Sequence, residues 1–201
     1  EFYRHNGVDL KGVARALVNN NNGKQKQGAS TITMQWVRMS LAYSATSPQE
    51  VVDATEDTPK RKVTEMKYAL QVEKELTKDQ ILERYLNIAP FGNQAYGIFA
   101  ASQVYFNKKP KDLTAGQASM LAGMVKAPTS FNPTTTEGYT QIKQRRDNYI
   151  LPGMVEMAED IFLKPARLGT PEYRGQLADV VRSPRYATVL GLLLEAKKQY
   201  L

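Results

Sequence analysis

Apolar residues recur at helical spacing along most of the chain. In residues 8–18, Leu10, Val13, Ala14 and Leu17 stand at i, i+3, i+4 and i+7, one face of a helix. The asparagine-rich stretch 19–28 carries no such pattern and predicts a loop. A second helix is expected over roughly 30–42, with Ile32, Trp36 and Met39 on its inner face. Ser47, Pro48 and Glu50 form a start signal: a capping hydroxyl, a proline at the first helical position and a carboxylate closing a capping box. From Arg61 to Asn87 the period is strong, with Val63, Met66, Leu70, Leu76, Ile81, Leu82 and Tyr85 as its apolar positions. Thr77 and Gln80 place a second capping box inside that run, so two helices are predicted, about 61–76 and 78–87, rather than one rod. A loop over 88–97 is followed by helices at 98–106 and 114–125, the latter capped by Thr114 and Gln117, and by another at 139–151. No run in residues 1–150 alternates with the strand period, so this part reads as mainly α. Residues 151–201 differ. Short Pro- and Gly-punctuated pieces, a strand at 165–169 and a closing helix predict a small mixed α/β segment, giving two domains, 1–150 and 151–201.

Composition narrows the chemistry. The 201 residues, 42% apolar, suffice for one globular domain with a core and a small appendage. With no cysteine and one histidine, His5, neither disulfide or thiolate chemistry nor a His-rich metal site can form. No run approaches about 18 consecutive apolar residues, so no transmembrane helix is predicted. The opening "EFYRHNGVD" has no leader-peptide pattern and reads as the middle of something. A net charge of +7, concentrated in residues 1–150, suits a phosphate-bearing partner, although solubility alone also accounts for it. No basic stripe interleaved with aromatics is present, so nucleic acid is not expected as a partner.

Two segments carry candidate chemistry. In "GASTITMQ", a helix starting near Ser30 puts Thr31, Gln35 and Arg38 on one face, a stripe of hydroxyl, amide and guanidinium about 10 Å long beside a helix N-terminus that attracts anions. That length suits a phosphorylated sugar; the alternative is that Ser30 and Thr31 only cap the helix. In "RKVTE", Arg61 and Lys62 stand four and three residues before Glu65 and would hold its carboxylate in place, unless the triple is an ordinary solvated helix face. His5, beside a Gly turn, is either a base or a hydrogen-bonded structural residue. Glu73, Lys74 and Glu75 read as plain surface.

"FYRHNGVD", "GASTITMQ", "RKVTEMKYALQVEKELTKDQILERYLN", "YGIFAASQVYF" and "LAGMVKAPTSFNP" occur in the order and spacing of the peptidoglycan glycosyltransferase domain, glycosyltransferase family 51, which residues 1–150 resemble. That family is found in class A penicillin-binding proteins and monofunctional transglycosylases. The resemblance implies a lysozyme-like helical fold at the extracytoplasmic face of the bacterial cell membrane. The implied activity polymerises lipid II onto a growing glycan strand by inverting transfer from a polyprenyl pyrophosphate. Pyrophosphate is a good leaving group that needs counter-charge, and the acceptor hydroxyl needs a general base. By the same resemblance Glu65 is the second catalytic carboxylate. Arg38, Arg61 and Lys62 face the pyrophosphates, Ser30, Thr31 and Gln35 hold sugar or phosphate oxygens, and Phe2 and His5 belong to the first motif. No cofactor is implied as obligatory, although a divalent metal such as Mg or Mn often assists in the family.

The sequence departs from the family pattern at several points. The Phe of the family's E-D-x-x-F motif falls on Phe2, which puts its general base before residue 1; Glu1 is three positions too late. The expectation is weak or absent polymerisation with retained binding of a lipid pyrophosphate or a mimic such as moenomycin. Gly-Gly reads Gly28-Ala29, Met34 replaces a Gln, Met39 an Asn, and Gln117 stands where Glu is usual. Residues 151–194 resemble the C-terminal end of FtsA, the actin-like cytoplasmic cell-division protein, without its nucleotide-contacting glycines. The two likenesses conflict in compartment, which suggests a chimera joined near 147–153 and cell-division proteins as alternative partners of a non-enzymatic module.

Overall fold

The computed structural model describes residues 2–21, 28–163, 165 and 166. The described residues are mainly helical and contain no strand beyond one isolated bridge, Pro90 with Tyr96, in line with the sequence expectation. Among them no helix is long and apolar enough to cross a membrane. Of the mixed α/β segment expected over 151–201, Leu151–Phe162 is helix, and the rest apart from residues 163, 165 and 166, with most of the FtsA-like stretch, lies outside the described residues.

The chain divides into two compact units, Glu1–Pro110 and Lys111–Leu201, a different partition from the boundary read at residue 150. The first unit contains α1 (Leu10–Asn21), α2 (Ile32–Ser44), α3 (Pro48–Thr55), α4 (Pro59–Glu75), α5 (Lys78–Ile88) and α6 (Gly97–Phe106), preceded by a short 3-10 turn, Phe2–Arg4. Helix α2 is central and packs on α3, α4 and α5. Met34, Val37 and Ala69 form the buried centre, with Val8, Trp36, Leu41, Met66 and Val72 against them.

The capping chemistry legible in the sequence sets the helix starts. Hydroxyls of Thr31, Ser47, Thr58 and Thr77 accept from the backbone N–H three residues on, satisfying donors that a helix start leaves free. The Thr77–Gln80 box closes in both directions and separates α4 from α5 as expected. The box predicted at Ser47 closes differently: Glu50 Oε2 accepts from the Thr46 backbone N–H at 2.7 Å, one residue early, and this bond, the largest influence on it, lowers the Glu50 pKa.

The loop between α5 and α6 is built on backbone conformation. Gly92, Asn93 and Gln94 all have positive φ, and the Phe91 N–H donates to Ala95 O at 2.9 Å across the turn. Gly97 has φ +82°, and a Cβ there would sit 2.3 Å from Asn87 O, so only glycine lets the loop return onto the end of α5.

The second unit contains α7 (Ala115–Met124), α8 (Thr136–Arg145) and α9 (Leu151–Phe162). Five residues of π-helix, Arg146–Ile150, join α8 to α9, so the helix continues through the position where the sequence suggested a join. Pro152 follows directly on the π-helical residues, at the second position of α9. Gly123 lets Ile142 approach α7, and Arg145 Nε donates to the Gly123 carbonyl at 3.2 Å.

Three apolar assignments fail. Leu10 is exposed on α1, where Ala16 is buried, and Val63 and Leu70 are exposed on α4. The buried row of α4 is Arg61, Glu65 and Ala69, at i, i+4 and i+8, so this helix turns a polar stripe inward.

Candidate functional site

The site is built on that inward stripe. Glu65, in the second turn of α4, is 2% exposed and meets three cations. Arg61 Nη1, one turn earlier, donates to Oε1. Lys62 Nζ lies 3.3 Å from Oε2, and Arg38 Nε, from α2, 4.0 Å from Oε1. Burying a carboxylate carries a heavy desolvation penalty unless its oxygens are paired, and here both are. The bracketing of Glu65 expected from "RKVTE" is therefore present, and the alternative of a solvated face does not describe it.

The cations are not equivalent. The Arg61 side chain is 7% exposed and fully committed, to Glu65, to Asp57 Oδ1 at 3.0 Å and to the Glu56 carbonyl. Lys62 and Arg38 are 32% and 40% exposed. Arg61 thus anchors the carboxylate, and the other two carry its geometry to the surface, where they can meet an anion.

Helix α2 supplies the polar groups beside them. Lys62 Nζ also donates to Ser30 Oγ, tying the start of α2 to α4. Gln35 Nε2 donates to Ser30 O and its Oε1 accepts from Tyr85 OH, both at 3.4 Å. Burial raises the Tyr85 pKa, with the Arg38 charge opposing it. Ser30, Gln35, Arg38, Lys62 and Glu65 are thus brought together. Thr31 stands apart: its buried hydroxyl accepts from the Met34 N–H at 3.1 Å and donates to Gly7 O at 2.6 Å, so it caps α2 and tethers the N-terminal segment. Arg61 is likewise held by structural partners rather than turned outward. A cavity of about 530 Å³ opens between α2, α3 and α4, lined by Leu41, Ala54, Arg61, Glu65 and Tyr68 among others.

Phe2 and His5 lie in a separate cluster. Lys78 Nζ sits 4.6 Å from the centre of the Phe2 ring and donates to the His5 carbonyl. Burial and then the Lys78 charge lower the His5 pKa, against weaker upward pulls from Glu73 and Asp9. Glu73, read from the sequence as plain surface, has a side chain only 6% exposed: its Oε1 accepts from Lys78 Nζ at 2.7 Å and from Thr33 Oγ1 at 2.6 Å. The charged run "EKE" has the composition of a surface. Only the threonine two residues after the α2 cap, pointing across to α4, hints otherwise.

Among the described residues there is no group of three or more His, Asp or Glu side chains able to hold a metal ion. Glu65, the carboxylate of the site, has both oxygens engaged by cations, and this donor set does not fit a resident divalent ion.

A buried carboxylate under three cations, two of them reaching the surface beside a hydroxyl and an amide, is an arrangement able to meet an anion. Residues 1–155 match the transglycosylase family model, and the chain belongs to that family. It is 43% identical over 156 residues to penicillin-binding protein 1A of Neisseria gonorrhoeae, which covers 77% of this chain and 18% of that protein. It is 41% identical over 157 residues to penicillin-binding protein 1A of Pseudomonas aeruginosa, 78% of this chain and 17% of that protein. The chain therefore spans less than a fifth of the length of these curated relatives.

Proposed function

We propose that this transglycosylase domain polymerises lipid II into glycan strands, acting at the membrane surface on its extracytoplasmic face. The observation that carries the proposal is Glu65 held under Arg38, Arg61 and Lys62, with Ser30 on Lys62. In the transfer, an acceptor sugar oxygen bonds to the anomeric carbon of the donor. The carbon–oxygen bond to the pyrophosphate breaks and its electron pair leaves with the phosphate. The acceptor proton passes to a general base, which the family resemblance places upstream of Phe2. Lys62 and Arg38 supply counter-charge to the departing pyrophosphate, and Glu65, anchored by Arg61, sets where those charges stand. Ser30 and Gln35 are placed to bond its oxygens or those of the sugar. No obligatory metal enters this scheme. Attachment to cell-division proteins would rest on the FtsA-like tail, whose greater part is outside the described residues.

The test is titration calorimetry of the chain with a lipid pyrophosphate, or with moenomycin as its mimic, for the parent and for Lys62→Met. Losing one charge-assisted contact to phosphate is worth about 1.5–3 kcal/mol, so the variant should bind at least roughly tenfold more weakly. Equal affinities would remove the pyrophosphate from this site.

A further inference from the structure

The half-buried cluster around Glu73 lies outside the Glu65 site and has no part in the transfer described above. It joins three helices to the N-terminal segment. Glu73 comes from α4, Thr33 from α2 and Lys78 from the first turn of α5. Thr33 is fully buried and donates to Glu73 at 2.6 Å, which leaves that carboxylate little freedom. Glu73 in turn fixes Lys78 at 2.7 Å, and the same ammonium holds the His5 carbonyl and faces the Phe2 ring. Two further ties act on the segment: Thr31 Oγ1 to Gly7 O at 2.6 Å and Tyr3 OH to Asp79 Oδ1 at 2.9 Å. Gly7 has φ +83°, and a Cβ there would meet the Ala69 carbonyl at 2.7 Å, so the segment lies flat on α4.

We propose that Glu73, Lys78 and Thr33 are a positioning network that fixes residues 2–7 against α4 in register with Glu65. The two carboxylates lie eight residues apart on one helix, about 12 Å along its axis. A segment clamped at Glu73 is therefore referenced to the rigid element that carries the anion site. The chemistry explains why a charge is used. A neutral pair could hold one carbonyl, but an ammonium has three donors and a ring-facing charge, so one side chain seats the carbonyl and the aromatic together. Its counterion must then be buried beside it, and Thr33 keeps that carboxylate aimed.

The catalytic meaning of this network rests on the proposed function; the clamp itself does not, so its test uses no substrate. Hydrogen exchange is followed at the amides of residues 3–8 in the full chain for Glu73→Gln, Thr33→Val and Lys78→Arg. Thr33→Val keeps the buried volume and removes only the hydroxyl, so it reports even where Glu73→Gln fails to fold. Exchange at 3–8 should quicken at least roughly tenfold in the first two, with the amides of α2 and α6 unchanged, and stay near parental in Lys78→Arg. In parallel, the ring of His5, the sole histidine, is titrated by NMR in Lys78→Met. Loss of the ammonium should move its midpoint upward, and Lys78→Arg should keep it low. Parental exchange at 3–8 in Thr33→Val, acceleration shared equally by α2 and α6, or an unmoved His5 midpoint would each overturn the proposal.

Discussion

Removing the charge of Glu65 tests whether the site is a buried ion cluster or a surface salt bridge. In Glu65→Gln the amide oxygen can still accept from Arg61, now without a negative charge on the acceptor, but the amide NH2 that takes the place of the second carboxylate oxygen cannot accept from Lys62. Charge-assisted bonds contribute about 1.5–3 kcal/mol and neutral ones about 0.5–1.5, so weakening the Arg61 bond costs about 1 kcal/mol, and losing the third-exposed Lys62 contact costs about 1 kcal/mol more. Arg38, at 4.0 Å and 40% exposed, adds little because solvent screens it. Arg61 keeps Asp57 and the Glu56 carbonyl, which limits the damage to about 2–3 kcal/mol in all. Arg61→Met should cost more, about 3–5 kcal/mol, since it leaves the buried carboxylate to Lys62 and a distant Arg38. Lys62→Met, at a third-exposed position, should cost about 1 kcal/mol or less. Urea unfolding followed by Trp36, the single tryptophan, on the α2 side of the core, reads all three. With a slope of about 1–3 kcal/mol per molar urea, Glu65→Gln should lower the midpoint by about 0.7–3 M. The order Arg61→Met, Glu65→Gln, Lys62→Met is the discriminating result. A cost below about 0.5 kcal/mol for Glu65→Gln, or equal costs for all three, would show that the cluster is solvated and refute the reasoning.

Two other outcomes follow from the geometry. Gly97→Ala forces a Cβ onto the Asn87 carbonyl and a non-glycine residue into φ +82°, so thermal unfolding should show a loss of about 2 kcal/mol or more, far beyond the ordinary glycine-to-alanine effect. The lowered His5 pKa gives stability a pH dependence. The unfolded chain takes up a proton near 6.5 while the folded one resists, so the contribution is complete above 6.5 and is lost as pH falls toward the folded value. Urea midpoints should therefore decline between pH 7.5 and 5.5 in the parent and stay flatter in His5→Gln; parallel curves would remove His5 as the cause.

How much of this was legible in the residues varies with the physics involved. Helix starts were readable because capping is local: a hydroxyl at Thr77 or Thr114 and an amide three residues on bond within a single turn whatever surrounds them. The helical period was readable for the same reason, but the direction each face turns was not. On α4 the sequence offers two rows, one with Val63 and Leu70 and one with Arg61, Glu65 and Ala69. Hydropathy selects the first, while the fold buries the second.

That reversal has a cause outside α4. A row of arginine and glutamate can be buried only when its remaining oxygens and donors find partners, and most of those come from elsewhere: Arg38 from α2, Asp57 and the Glu56 carbonyl from the turn before α4. Glu73 repeats the case, since Thr33 and Lys78, from α2 and α5, make its burial tolerable. In both places the information sits in the pairing of distant short motifs rather than in any window of the chain. Family likeness singled out Glu65, because its motif is shared; nothing comparable singled out Glu73, which is followed on the chain by two exposed charges, Lys74 and Glu75. A carboxylate three to five residues from a cation, facing a hydroxyl-bearing helix, is thus the pattern that separates a buried ion cluster from a solvated one. It becomes visible only when the two helices are considered as a pair.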